Sequence, residues 1–249
     1  MAFRLFERLP LNPREERKRA FMSEDVKPIE PDEEILLKEE TQEKLISFSD
    51  LGVSETLLEA LCEKGWMIPT EIQQKSLPFS LAGKDVAGFA QTGTGKTAAF
   101  GLPLLHLTDV DDKSIQSLIL CPTRELCLQI GKDLSMYSKY LKGVSVLSVY
   151  GGEKIEKQIK NLKKNPQIIV GTPGRTKDLI KRKKLFLGDT KRLILDESDE
   201  MLSMGFKEDL DFILNSSSND KNILLFSATM TEKVTAVTNK YMKNPVEIS

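Results

Sequence analysis

The stretch Asp85–Leu105, DVAGFAQTGTGKTAAFGLPLL, runs from an apolar segment through a glycine-rich turn into a second apolar segment of helical length. That order predicts strand, loop and helix, with Lys96 and Thr97 at the helix mouth. Gly93 and Gly95 can take backbone angles closed to other residues, so the N–H groups of the turn can point into one concavity. The helix start adds unpaired donors and the positive end of its dipole, which favours a phosphate chain there. In this pattern Ala90, Gln91, Thr92, Gly93, Thr94 and Gly95 form the cradle. Lys96 reaches the β- and γ-phosphates, and the Thr97 hydroxyl ligates Mg²⁺. The strict pattern has glycine where Ala90 stands. A tight turn with a chance Gly-Lys-Thr is the alternative; the flanking strand and helix favour the phosphate loop.

Outward from this loop, short aliphatic and β-branched runs recur: DVAGFA, SLILC, VSVLSVY, QIIVGT, RLILD, NILLFSAT and VEIS. Between most of them lie amphipathic stretches such as RELCLQIGKDLSMYSKYLK and EDLDFILNSS. Continuous apolar strands alternating with helices predict an α/β fold, a doubly wound, mainly parallel sheet with helices on both faces. Two further helices precede it, SETLLEALCEKG with Ser54 as cap and Gly65 as stop, and PTEIQQKSLPFSLAG behind Pro69. In such sheets ligands sit beyond the carboxyl ends of the strands. AQTGTGKT, PTREL, GG, TPGR, DESD and SAT each follow a strand and so gather at that edge.

Composition narrows the setting. The chain has 249 residues, 40% hydrophobic and 29% charged, with net charge −1, which is ordinary for a soluble globular protein. Residues 1–47 carry 12 acidic and 9 basic side chains, leaving 25 acidic and 27 basic for the rest. That first segment is charge-dense and poor in aromatics, so it is expected to be a mobile or partly helical arm, with a protein partner as the lesser option. Any polyanion must find a local patch on the body. Cys62, Cys121 and Cys127 show no metal or disulfide spacing and are read as buried free thiols in a reducing compartment. No apolar run reaches membrane-spanning length and no signal-peptide core is present, so a cytoplasmic protein is expected. Nothing demands more than a monomer.

RLILDESD at 192–199 places Asp196 and Glu197 at the sheet edge beside the phosphates. Mg²⁺ prefers carboxylate, water and phosphate oxygens, so Asp196 is the metal partner, directly or through water. Glu197 is the candidate for orienting or deprotonating an attacking water. An acidic helix start is the bland alternative, since DESDEMLSM also suits an N-terminal cap.

Taken together, FSDLGVSETLLEALCEKGWMIPTEIQQKSLP, AQTGTGKT, PTREL, GG, TPGR, DESD and SAT resemble, in order and spacing, the DEAD-box RNA helicases. The resemblance spans about residues 48–249 and implies the RecA-like ATP-binding domain of their N-terminal lobe. It implies that Gln73 reads adenine, a role its amide chemistry suits. Phe48 would pack near the base, Thr70 would support this motif, and Trp66 would wall the base or anchor a helix. It further implies an RNA-backbone grip by Pro122, Thr123 and Arg124, by Gly151 and Gly152, and by Thr172, Pro173, Gly174 and Arg175. Arginines, hydroxyls and helix starts can all hold phosphates, and none of these groups reads a base edge, so little sequence preference is expected. Ser227 and Thr229 resemble the coupling motif, whose hydroxyls would bond the DESD carboxylates, Asp199 among them.

Two departures stand out. Ser198 occupies the third position of DESD, where the family has alanine; a mild effect on coupling is expected. The sequence also ends at NPVEIS soon after SAT, without the arginine-rich segment that supplies arginine fingers in the second lobe. His106 is then expected to be structural. The expectation is a helicase lobe that binds ATP or ADP with Mg²⁺, hydrolyses slowly and does not unwind RNA alone, an arginine finger being worth about 10³–10⁵ in rate. An ATP-dependent adaptor that docks a partner through residues 1–47, and a DNA-directed lobe, are the competing readings.

Overall fold

The computed structural model describes residues 46–249; the arm expected over residues 1–47 lies almost wholly outside them. All seven aliphatic runs are strands: β1 (Val86–Phe89), β2 (Ser117–Leu120), β3 (Val146–Val149), β4 (Ile168–Gly171), β5 (Arg192–Leu195), β6 (Asn222–Ser227) and β7 (Val246–Ile248). They form one sheet in the order β3-β4-β2-β5-β6-β1-β7, and every pairing is parallel. The sheet expected to be mainly parallel is therefore parallel throughout the described residues. β2 and β4 are buried along their whole length, as a sheet covered on both faces requires.

Side-chain alternation divides the core in two. Val86, Ile119, Ile168 and Ile194 point to one face; Ala87, Leu118, Ile169 and Leu193 point to the other. The first face is covered by α1 (Glu55–Glu63), α2 (Glu71–Leu81), α3 (Lys96–His106) and α4 (Arg124–Tyr137), through residues such as Leu57, Leu77, Phe100 and Leu134. The second is covered by α5 (Ile155–Leu162), α6 (Pro173–Lys181), α7 (Ser198–Ser203), α8 (Lys207–Asn215) and α9 (Glu232–Tyr241), through Leu162, Leu179, Met201, Leu210 and Val234.

The amino end of the sheet is tied by one carboxylate. Asp85, just before β1, accepts from the Ile223 N–H and Asn222 Nδ2, both at 2.8 Å, and from the Lys243 N–H at 2.7 Å. It thereby joins β1, β6 and the turn leading to β7. A buried carboxylate with three donors is a satisfied group, not a site.

The thiols correct one expectation. Cys121 and Cys127 are buried, but Cys62 is exposed. It sits on α1 beside the buried Leu57, Ala60 and Leu61 and off the stripe they form, so helical geometry turns it outward. His106 is the last residue of α3, exposed and at the opposite end of that helix from Lys96. Among the described residues no helix is long and apolar enough to cross a membrane.

Candidate functional site

The turn between β1 and α3 has the geometry that its glycines predict. Gly93 has φ 88° and Gly95 has φ 92°, both in the left-handed region. A Cβ on Gly95 would also stand 2.4 Å from Gln73 Nε2 and 3.1 Å from Thr70 Oγ1. Conformation and close approach both require glycine here. The contact is a bond: Gln73 Nε2 donates to the Gly95 carbonyl at 2.9 Å, and Gln73 Oε1 accepts from the Thr70 N–H at 2.9 Å. Thr70 caps α2 in a capping box with Gln73. The α2 start is thus fastened to the glycine turn through one buried amide. One Nε2 hydrogen and one Oε1 lone pair remain unused.

Beside this turn lies a cleft of about 580 Å³. Its walls include Phe48, Thr70, Gln73, Thr92, Gly93, Gly95, Lys96, Thr97, Asp196 and Glu197. Ten of the residues read as nucleotide or catalytic groups therefore meet in one cavity. Ala90 and Thr94 line a separate hollow under α2, because they face the other side of the turn. Gln91 is exposed and lines neither; its carbonyl accepts from the Thr94 hydroxyl at 2.7 Å. Trp66 is half-exposed, lines the cleft and packs its ring 5.9 Å from that of Tyr137.

The electrostatics of this cleft are unfinished. Lys96 is only 6% exposed, yet its ammonium has no hydrogen-bond partner. An unpaired buried cation is costly. Asp196, at the carboxyl end of β5, is 3% exposed. Burial pushes its carboxyl up to about 6, with Lys96 opposing that rise and Glu197 adding to it. Its Oδ1 accepts from the Glu197 N–H at 3.0 Å. Glu197 has φ 51° at the mouth of α7, a left-handed conformation rare outside glycine and asparagine. Such strain gathers at functional sites. The Thr92 hydroxyl reaches Glu197 Oε1 at 3.2 Å, linking the glycine turn to the DESD segment.

DESD is in turn fastened to SAT. Asp199 Oδ2 accepts from the Thr229 N–H at 3.0 Å and from its hydroxyl at 2.7 Å. Burial would raise the Asp199 carboxyl, but the Thr229 hydroxyl together with backbone donors outweighs it and holds the carboxyl below its ordinary value. The Ser227 hydroxyl also donates to the Thr229 carbonyl at 2.8 Å. Ser198 is fully buried and its hydroxyl donates to the Phe226 carbonyl at 3.3 Å. The extra oxygen thus adds one link between α7 and β6.

A second, shallower groove of about 450 Å³ lies at the same sheet edge. Pro122, Arg124, Gly151, Thr172, Gly174 and Arg175 line it; Thr123, Gly152 and Pro173 do not. Thr123 caps α4, accepting from the Leu126 N–H, and Pro173 is the first residue of α6. Gly152 has φ 84°, and a Cβ there would stand 3.3 Å from Arg124 Nη1. Arg124 is exposed, with its guanidinium 5.0 Å from the Tyr150 ring centre. Arg175 is differently disposed. Its Nη1 donates to Gln158 Oε1 at 2.8 Å and its Nη2 to the Glu153 carbonyl at 3.1 Å. Gln158, buried, donates to the Tyr150 carbonyl and to Glu153 Oε2. One amide and one guanidinium thus lock the GG loop to the start of α6.

Several residues of this edge were not marked by their sequence. Leu126, Gln129, Asp133 and Tyr137 of α4 complete the cleft wall; their 3, 4, 4 spacing is the signal for one helix face. Gln158 carried no such signal, since its role depends on Arg175.

Comparisons with known proteins agree with this geometry. The model of the family described as DEAD/DEAH box helicase matches residues 70–237. The chain is 48% identical over 203 residues to the ATP-dependent RNA helicase DeaD of Buchnera aphidicola subsp. Baizongia pistaciae, covering 82% of this chain and 34% of that protein. It is 47% identical over 201 residues to the ATP-dependent RNA helicase CshA of Listeria monocytogenes, covering 81% and 38%. The chain therefore spans about a third of the length of the curated relatives it matches. A DEAD box protein from the hyperthermophile Methanococcus jannaschii superposes with TM-score 0.78 at 43% identity, covering 81% of this chain and 55% of that one. With its motifs assembled at one edge of a RecA-like sheet and the family model matched across most of its length, this chain belongs to the DEAD/DEAH box helicase family.

Proposed function

We propose that residues 48–249 form the nucleotide-binding lobe of an ATP-dependent RNA helicase, with residues 1–47 as an arm outside it. The cleft would hold ATP or ADP with Mg²⁺, and the shallower groove would hold one side of an RNA backbone. The observation that carries this reading is the Lys96 ammonium. It is buried and unpartnered in the first turn of α3, directly after the left-handed Gly95. A polyphosphate chain supplies the missing charge and acceptors.

Thr97 and Asp196 would hold Mg²⁺, partly through water. Among the described residues no cluster of three or more His, Cys, Asp or Glu side chains could hold a metal alone. That suits a cation bound through one or two carboxylates together with substrate phosphates. When bound, Mg²⁺ neutralises phosphate charge and draws Asp196 into its ionised form. Lys96 offers the phosphates a counter-charge, and Glu197 orients a water toward them, its direction fixed by the Thr92 bond and the strained backbone. Phe48 and Trp66 present apolar surface to a base, and the free part of the Gln73 amide reads its edge as adenine.

The Asp199–Thr229 bonds tie DESD to SAT, so a shift at the nucleotide reaches the strand end beside it. Backbone N–H groups at the starts of α4 and α6, with Arg124 and Thr172, grip phosphates without reading bases. RNA unwinding coupled to ATP hydrolysis belongs to the whole helicase.

Replacing Lys96 with alanine tests the reading. Fluorescent ADP with Mg²⁺, titrated at equilibrium, should bind at least tenfold more weakly to Lys96→Ala. Unchanged affinity would reject the phosphate-loop assignment.

A further inference from the structure

The chain is nearly neutral, but its positive charge is concentrated. Residues 153–192 hold 13 basic and 4 acidic side chains, while the other residues of 48–249 hold 14 basic and 21 acidic. The basic stretch builds α5, α6 and the segments after them, which lie together on the second face of the sheet. Some of these cations are paired: Lys157 with Glu153 at 2.7 Å, Lys177 with Asp209 at 2.5 Å and Arg182 with Asp178 at 2.7 Å. Among the described residues, no carboxylate lies within 4.0 Å of Lys160, Lys163, Lys164, Lys183 or Lys184.

Three of these lysines meet at a groove of about 330 Å³ at the amino end of the sheet, between the ends of α5 and α6, with Lys160 and Lys164 outside its lining but on the same stretch of chain. Ile159, Lys163, Lys183, Lys184 and Phe186 line it, and Asp189 is its one carboxylate. Phe186 is 70% exposed, the most exposed large apolar side chain among the described residues. Its flanks are fixed: Leu185 and Leu187 are buried in the core, and Leu187 bridges to Ser217. Side-chain alternation then forces Phe186 outward on an anchored segment. A rigidly presented aromatic ring among unpaired cations is the pairing of a stacking platform with an electrostatic track.

The two helices that end at this groove begin at the RNA-clamp motifs. α5 follows the GG loop, α6 starts within TPGR, and the Arg175–Gln158 bond joins their upper ends. α6 has nine residues, so it spans about 14 Å, or roughly four stacked nucleotides at ~3.4 Å each.

We propose that single-stranded RNA leaving the clamp continues along the α5–α6 edge, with Lys160, Lys163, Lys183 and Lys184 on its phosphates and Phe186 stacked on a base. This track rests on the RNA-clamp reading above and adds length-dependent, sequence-independent affinity to it.

The test compares oligouridylates of about 6 and about 16 nucleotides, lengths that bracket a single-strand site. Anisotropy titrations use the full chain, the triple variant K163Q/K183Q/K184Q and F186A, at low and moderate salt. The wild-type chain should bind the longer RNA at least tenfold more tightly than the shorter. The triple variant should bring the longer RNA to the level of the shorter and lower its salt slope by about 2, at ~0.7 per lost phosphate contact. F186A should weaken the longer RNA about fivefold or more, the loss of one stacked base. Neither variant should change binding of the shorter RNA or of Mg²⁺-ADP, which also reports correct folding. Equal affinity of the wild-type chain for both lengths would overturn the track, and so would equal losses on both lengths in the variants. A polyglutamate peptide that binds as tightly as the longer RNA, and is lost in the triple variant, would give the groove to a protein partner and overturn it too. A wild-type chain that binds neither RNA would reject the clamp reading itself.

Discussion

Two buried carboxylates sit at opposite ends of the same sheet, and they are finished to different degrees. Asp85, at the amino end, is 7% exposed and accepts three hydrogen bonds from β6 and the approach to β7. Asp196, at the carboxyl end, is 3% exposed and accepts one, from the N–H of the next residue. Near it stand an unpartnered ammonium at Lys96 and a left-handed glutamate at Glu197. The same residue type at similar burial is a satisfied clasp where donors are supplied by the fold and is left short of partners where they are withheld. A sheet edge that leaves its polar groups unsatisfied holds a standing demand for a ligand.

The contrast is broken most severely at the finished end. Asp85→Ala would leave the Ile223 and Lys243 N–H groups and the Asn222 amide without their acceptor, at about 1–3 kcal/mol for each buried group left unpaired. A net loss of about 3 kcal/mol is expected, lowering the melting temperature by about 6–12 °C in a domain of this size. A change under about 1 kcal/mol in denaturant titration would mean that water satisfies these donors and Asp85 is not a clasp.

The unfinished end should respond in the opposite sense. The carboxyl of Asp196 titrates near 6 in the fold, against 3.8 ordinarily, so the native state keeps its proton where the unfolded chain has lost it. Its contribution to stability is therefore full below pH 3.8, falls as the pH rises to about 6, and stays lost above that. Asp196→Asn cannot ionise. In metal-free buffer it should be about 1–3 kcal/mol more stable than the wild-type chain at pH 7.5, and nearly equal to it at pH 4. The check is the difference between the two chains across that range. Equal stability at pH 7.5 would remove the claim that this carboxylate is held ionised at a cost.

The extent to which the sequence could foretell this contrast follows from the range of the interactions. The seven strands and the glycine turn after β1 were legible because apolar runs and glycine placement act locally. The gathering of AQTGTGKT, PTREL, TPGR, DESD and SAT was legible too, since parallel topology sends every strand end to one edge. What depended on distant partners was not. The Gln73 amide bonded to Gly95, twenty-two residues away, could not be read from PTEIQQ. The Arg175 guanidinium spent on Gln158 and Glu153 was likewise hidden, as was the outward face of Cys62. The basic α5–α6 edge was diluted in a net charge of −1.

The smallest test concerns the one DESD position that departs from the family. Ser198→Ala removes a single buried bond to the Phe226 carbonyl, at 3.3 Å a long one. A loss of about 0.5 kcal/mol or less is expected, with nucleotide affinity unchanged. A loss above about 2 kcal/mol would make the hydroxyl a principal tie between α7 and β6.

A carboxyl edge left unsatisfied for a nucleotide should reveal itself in thermal unfolding with and without ligand. Saturating Mg²⁺-ATP, at about 100 times its dissociation constant, should stabilise the wild-type chain by about 2.7 kcal/mol, with less from Mg²⁺-GTP and, at the same ATP concentration, about half as much or less in Lys96→Ala. A melting temperature unmoved by Mg²⁺-ATP, or moved equally in Lys96→Ala, would mean that no nucleotide completes this edge through Lys96.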